Sequence, residues 1–267
     1  MPAMLLTAAD IATMLSGAAV GFVLALVGGG GSILAVPLLV YGVGVASPHV
    51  AIGTSALAVA ISAFANMIAH WKAGNVRWPC AIVFSIAGVA GAFAGSSVAK
   101  QLDGQKLLVL FGMLMIAIGA LMLKKRAGGG DPSIRLTPAT APRLLPMLAG
   151  TGLAVGLLAG FFGIGGGFLI VPGLMLATGM PLIYAIGTSL VAVVAFGAST
   201  AASYAVSGLI DWWLAGLFIA GGLLGGLAGM AAGKLIGPQG RVLQSAFAGI
   251  VILAGGYVCV RGALALL

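Results

Sequence analysis

Charge is what this sequence has least of. Only 6% of its 267 residues are Asp, Glu, Lys or Arg, against about 25% in a soluble domain. So few charges cannot clothe a water-facing surface. Glutamate is absent, and the four acids are Asp10, Asp103, Asp131 and Asp211. Each lies near the end of an apolar stretch or in a loop. A proton pump or cation carrier keeps a carboxylate at membrane depth, and this sequence places none there. The two cysteines, Cys80 and Cys259, stand 179 residues apart, which fits no zinc or redox spacing, so both read as small packing residues. There is no Walker sequence. The Gly-rich runs follow apolar stretches with no βαβ pattern around them, so they are not dinucleotide fingerprints. No carboxylate pair, metal-ligand cluster or Ser/His/Asp set can be named. The reading therefore has no catalytic residues, no metal, no cofactor and no nucleic-acid partner. The first residues lack a basic segment, so no cleaved signal peptide is indicated.

What is present is apolar sequence: 61% hydrophobic residues and a mean hydropathy of +1.23. The runs exceed the roughly 20 residues that cross a bilayer as a helix. They are continuous rather than alternating, which argues against a β-barrel. The expectation is an all-α, polytopic (multi-pass) membrane protein. Its net charge of +8 reads first as basic loops on the cytoplasmic side and second as attraction of anions.

The chain also repeats itself. Gly28-Gly29-Gly30-Gly31-Ser32-Ile33-Leu34-Ala35-Val36-Pro37 returns as Gly163-Ile164-Gly165-Gly166-Gly167-Phe168-Leu169-Ile170-Val171-Pro172, and Ala51-Ile52-Gly53-Thr54-Ser55 returns as Ala185-Ile186-Gly187-Thr188-Ser189. The offsets are 135 and 134 residues. Two homologous halves follow: a first repeat, 1–124, a cytoplasmic linker, 125–142, and a second repeat, 143–267. In each half an apolar stretch (8–27 or 144–162) leads to the Gly cluster. A shorter one with proline follows (32–46 or 167–180). Three longer candidates complete each half, at 50–70, 78–99 and 106–123, then at 184–205, 212–233 and 242–262. Each half is thus a Gly-broken hairpin plus three transmembrane helices. At 1.5 Å per residue, 32–46 spans about 22 Å, short of a roughly 30 Å hydrocarbon core. If each Gly-broken pair enters and leaves by one face, each half has three full spans and the repeats are inverted. If each pair counts as one span, the repeats are parallel.

Loop charge separates these models. With the basic linker inside, the inverted model puts Lys72, Arg77, Lys124, Lys125, Arg126, Arg135, Arg143, Lys234 and Arg241 inside and only Lys100, Lys106 and Arg261 outside. The parallel model places Lys234 and Arg241 on the wrong side. The equivalent loops Lys72–Arg77 and Val206–Asp211 also differ in sign. The inverted arrangement is therefore expected, with both termini outward.

A Gly run at membrane depth frees backbone polar groups, which is tolerable only where protein or water surrounds them. The helix that resumes after it offers unpaired N–H groups and a dipole that favour an anion. The expected substrate-binding set is Gly30, Gly31, Ser32, Gly165, Gly166 and Gly167 at the two breaks, with the hydroxyls of Thr54, Ser55, Thr188 and Ser189. Asn66 and its counterpart Thr200 lie about three turns further along. The competing reading is tight helix packing for the glycines and back-bonding to helix carbonyls for the hydroxyls. Gly91, Gly95, Gly225 and Gly229, spaced by four, fit packing. His70 is the one candidate for proton coupling, though it sits at a helix end beside Trp71 and Trp78, as an interfacial histidine would.

These blocks resemble the sulfite exporter TauE/SafE family. The G-x-G-G-G-x-x-x-V-P type block, the Ala-x-Gly-Thr-Ser block and the stretch Gly74–Trp78 with its match Gly208–Trp212 carry the resemblance over nearly the whole chain. It implies a secondary transporter of small anions, such as sulfite or a sulfonate, in the bacterial cell inner membrane. Its partners would be the small anionic substrate and the lipid bilayer, and a homo-oligomer is compatible with it. The first break departs from the second at Gly29 and Ser32, which stand where the other has Ile164 and Gly167, so an asymmetric site is expected. An anion channel or a membrane assembly subunit is the alternative.

Overall fold

The computed structural model describes residues 7–124, 136–162, 167–236 and 240–265. The breaks at Gly165 and Gly166, and Lys125, Arg126, Asp131 and Arg135 of the linker, lie outside the described residues. Among the described residues every regular element is helical. They are α1 (Ala8–Val27), a first return arm, α3 (Pro48–Lys72), α4 (Trp78–Ala99), α5 (Gly104–Lys124), α6 (Ala141–Phe162), α7 (Gly167–Thr178), α8 (Leu182–Val206), α9 (Trp212–Ile236) and α10 (Gly240–Leu264). The first return arm runs as a 3₁₀ stretch, Gly28–Leu34, a single α turn, α2 (Ala35–Pro37), and a π turn, Leu38–Val43. Pro37 has no N–H to donate, and the helix widens directly after it. Seven of the described helices, α1, α3, α4, α5, α6, α8 and α9, are long and apolar enough to cross a bilayer.

The helix starts explain the acids. Thr7 and Asp10 form a reciprocal cap: Thr7 N donates to Asp10 Oδ2 (2.9 Å) and Asp10 N to Thr7 Oγ1 (3.2 Å). Asp103 Oδ1 accepts from Gln105 N and Lys106 N, and Asp211 Oδ1 from Trp213 N and Leu214 N. All three described carboxylates cap helix N-termini, where a negative charge is favoured.

Both Gly-broken pairs are hairpins. Gly31 backs onto α1 at Val20 and Leu24, and Gly42 reaches the level of Ser16, so the first arm returns toward the start of α1. Gly173 of α7 packs on Val155 of α6, so the second arm folds back likewise. Each arm stops at a left-handed glycine, Gly44 (φ 88°) and Gly179 (φ 75°), an ending in which only glycine is unstrained.

Equivalent helices of the two halves meet antiparallel. Asp211, after the end of α8, touches Thr54 near the start of α3. Arg77, after the end of α3, touches Thr188 near the start of α8. On α5 and α10, Gly112 meets Gly255, whereas Gly119 meets Ala248 and Ile252. Non-equivalent helices of opposite halves meet parallel. Gly17 and Gly21 of α1 face Phe218 and Gly222 of α9, and Gly91 and Gly95 of α4 face Leu153 and Leu157 of α6. These two parallel interfaces are the most extensive in the molecule. They are lined by glycines from both sides, because each glycine lies against the partner's backbone.

Two faces follow. One carries Asp10, Lys100, Asp103, Lys106, Asp211 and Arg261, a balanced set. The other carries Lys72, Arg77 and Arg143 and is wholly basic among the described side chains.

Candidate functional site

The first arm's 3₁₀ stretch, which contains Gly30, Gly31 and Ser32, packs against α7 of the second arm and against α8. The two Gly-broken segments thus meet inside the bundle. Gly31 and Ser32 are buried, Ser32 completely. An added Cβ at Gly31 would strike the backbone of Leu24 and Val20, so only glycine allows this arm to lie so close to α1. The second break is followed by a clean helix that begins at Gly167 and runs twelve residues. The first break is followed by 3₁₀ and π turns instead. Of the two, only α7 presents a regular helix N-terminus toward its break.

The four hydroxyls are all engaged in hydrogen bonds. Thr54 Oγ1 accepts from Asp211 N and Thr188 Oγ1 from Arg77 N, both at 3.0 Å. Beside them an added Cβ would strike the Leu209 carbonyl at Gly53 and the Asn75 carbonyl at Gly187. Each Gly-Thr pair is therefore a seat for the loop leading into the next helix of the opposite half. Ser55 Oγ donates to Ile52 O (3.0 Å) and Ser189 Oγ to Ile186 O (2.7 Å), which is back-bonding to their own helices.

Asn66 shares a face of α3 with Ser55 and Ser62, at helical spacing, and is 2% exposed. Its Nδ2 donates to Ser62 O (3.0 Å), and its amide lies against Gly226 of α9. Thr200 occupies the matching face of α8 with Ser189 and Ser203 and is fully buried. Asn66 Oδ1, Ser62 Oγ, Thr200 Oγ1 and Ser203 Oγ have no hydrogen-bond partner among the described residues. Buried polar atoms without a partner are costly, and in a membrane interior they mark polar paths. His70 is half-buried at the end of α3, and its Nδ1 has no hydrogen-bond partner among the described residues.

A groove of about 440 Å³ opens between α3 and α8, lined by Leu57, Phe64, Ala198, Ala202 and Trp212 among others. Its walls are apolar, so it offers nothing to hold an anion. Among the described residues no group of three His, Cys, Asp or Glu side chains could hold a metal ion. The cysteines are free: Cys80 is buried, and Cys259 Sγ bonds the Val109 carbonyl (3.6 Å). Sequence reasoning missed the glycines that seat the opposite half, Gly53, Gly187, Gly152, Gly156 and Gly160. Their signal was present as repeat-related or four-residue spacing.

A helical protein with seven helices of membrane-crossing length among its described residues, paired broken hairpins and buried polar atoms without partners is built as a membrane transporter. The chain belongs to the sulfite exporter TauE/SafE family, whose model matches residues 13–258. It is 48% identical over 252 residues to a probable membrane transporter protein of Xylella fastidiosa strain Temecula1, covering 94% of this chain and 95% of that one. It is 31% identical over 259 residues to the probable membrane transporter protein YunE of Bacillus subtilis strain 168, covering 91% and 94%. No solved structure matches it.

Proposed function

We propose that this protein is a secondary transporter of small anions of the bacterial inner membrane, exporting sulfite, a sulfonate or a related sulfur oxyanion. The observation that carries the reading is the meeting of the two Gly-broken arms inside the bundle, with no carboxylate nearby among the described residues. The N-terminus of α7 at Gly167 follows the second break, and the stretch with Gly30, Gly31 and Ser32 packs against α7; Gly165 and Gly166 would add backbone N–H groups. Together they would replace part of the anion's hydration shell. The polar faces Ser55–Asn66 and Ser189–Thr200 line its approach. Thr54 and Thr188 stand beside these with their oxygens already engaged. The antiparallel meeting of equivalent helices supports inverted repeats, 1–124 and 143–267, joined by the linker 125–142. The wholly basic face supports a cytoplasmic linker.

For a cytoplasm-negative membrane, a leaving monoanion gains about 2.3 kcal/mol per 100 mV. Export then needs no coupling ion, and His70 is the group through which a proton would enter if it does. Flux into and out of proteoliposomes is measured for sulfite, sulfate, thiosulfate, sulfonates and carboxylates, with the potential clamped and the pH gradient varied. Saturable flux of a sulfur oxyanion that follows the potential is expected. Flux that vanishes without a pH gradient rules out uniport, and flux that neither saturates nor shows counterflow makes the protein a channel.

A further inference from the structure

The sequence halves are not the packing units. α1 of the first half is bound to α9 of the second, backbone against backbone: Gly17 and Gly21 lie on Phe218 and Gly222, and Gly221 and Gly225 lie on Met14 and Ala18. α4 of the first half is bound in the same manner to α6 of the second through Gly88, Gly91, Gly95, Gly152, Gly156 and Gly160. Such contacts have no side chains that could repack, so a shift along them would lose the interface as a whole. α3 adds to the first of these pairs and α8 to the second. Two bundles result. One holds α1, the first return arm, α3 and α9. The other holds α4, α6, α7 and α8. Each takes one helix from the opposite half.

The contact between the bundles is of another kind. Its longest part is α3 against α8, where Gly197 faces Ala56 and Ala60. Small side chains meet there, Gly53 of α3 also lies against Tyr204 of α8, and one edge opens into the apolar groove. Two short loops connect the bundles covalently, 73–77 at the basic face and 207–211 at the other. The second residue of each is a left-handed glycine, Gly74 (φ 73°) or Gly208 (φ 68°), and around each of these an added Cβ would find nothing within 4 Å among the described residues. Each loop ends in an anchor on the bundle it enters: Arg77 N on Thr188, and Asp211 N on Thr54. Each glycine closes the end of its helix, Gly74 N donating to Trp71 O and Gly208 N to Ala205 O, and is followed within three residues by a fixed point, so the turn sits at an element end where hinges form.

We propose that the transport cycle moves these two exchanged bundles against each other across the α3–α8 seam, pivoting at Gly74 and Gly208, with Thr54 and Thr188 as positioning residues that hold the far end of each hinge. The inference rests on the carrier reading above. It opposes the simpler motion, in which one sequence half rocks against the other, because that motion would have to break both glycine interfaces.

The test uses two cross-links in the full chain, reconstituted in liposomes with Cys80→Ala and Cys259→Ala as the parent. The first pair, Asp10→Cys with Trp213→Cys, joins α1 to α9 by a short bifunctional thiol reagent, since Asp10 Oδ1 accepts from Trp213 Nε1 at 2.9 Å. It crosses the sequence halves but stays within one bundle. The second pair, Ala60→Cys with Gly197→Cys, joins α3 to α8, where a Cβ on Gly197 would lie 3.0 Å from that of Ala60. If this pair does not carry the parent's flux when reduced, Leu57→Cys with Ala201→Cys, on the walls of the same groove, replaces it. Expected is full flux with α1 linked to α9, and at least a tenfold loss with α3 linked to α8, restored by reductant. Loss of flux on linking α1 to α9, or unchanged flux on linking α3 to α8, overturns the proposal. A parent that carries none of the anions overturns the anion reading instead, so the two failures are distinct.

Discussion

Thr54 and Thr188 show how much a single hydroxyl can hold in a chain so poor in polar groups. Each oxygen takes one loop N–H, Asp211 N or Arg77 N, at 3.0 Å. Valine has the same shape and no acceptor. Thr54→Val and Thr188→Val should therefore each cost roughly 1–3 kcal/mol, the penalty of an amide left without a partner. The two sites lie at opposite faces and share no partner, so the double variant should show nearly the sum. Thermal unfolding in detergent measures both. Equal melting of Thr188→Val and the parent would mean that Arg77 N finds another acceptor. The sequence marked both threonines through their repetition, yet suggested a ligand role. Their bond to the opposite half depends on a loop more than 100 residues away, and no local pattern encodes that distance.

At the scale of the element, the two hairpins and the long helices were legible from apolar length and the doubled Gly-rich block that ends in Val-Pro. The expected stretches 8–27 and 78–99 coincide with α1 and α4, and the remaining ends move by a few residues. The path of the first arm was not legible. Whether a chain with four glycines and a proline resumes as α, 3₁₀ or π depends on the α1 surface it lies against. The role of each glycine was hidden for the same reason, because glycines in apolar helices look alike in sequence while their surroundings differ. Gly156 lies on the backbone of Gly88, whereas Gly216 has open space around an added Cβ. Gly156→Ala should thus separate α6 from α4 and destabilise the protein by about 1–3 kcal/mol or more. Gly216→Ala, on α9, should leave it unchanged or up to about 1 kcal/mol more stable, since alanine is the better helix former. Melting temperatures of the two variants, prepared side by side, decide. A Gly156→Ala protein as stable as the parent would mean that the α4–α6 contact yields more readily than its geometry implies.

For the whole molecule, the proposed direction in the membrane rests on the charges of its two faces. One face carries three cations balanced by three capping aspartates, and the other is wholly basic among its described side chains. The cytoplasmic excess of Lys and Arg usual in membrane proteins would place the second face inside. Antiparallel pairing of α3 with α8 then puts equivalent loops on opposite sides. Ala73 and Ser207 are equivalent positions, 134 residues apart, and both are exposed. In the cysteine-free parent, Ser207→Cys should react with a membrane-impermeant maleimide in whole cells. Ala73→Cys should react only after the cells are opened. Both residues labelling from outside, or both only after opening, would require the halves to run parallel. That result cannot be reconciled with Asp211 on Thr54 and Arg77 on Thr188 in one molecule, because parallel halves bring α3 and α8 together start to start, and the loop that follows each helix would lie a full membrane thickness from the threonine it now caps.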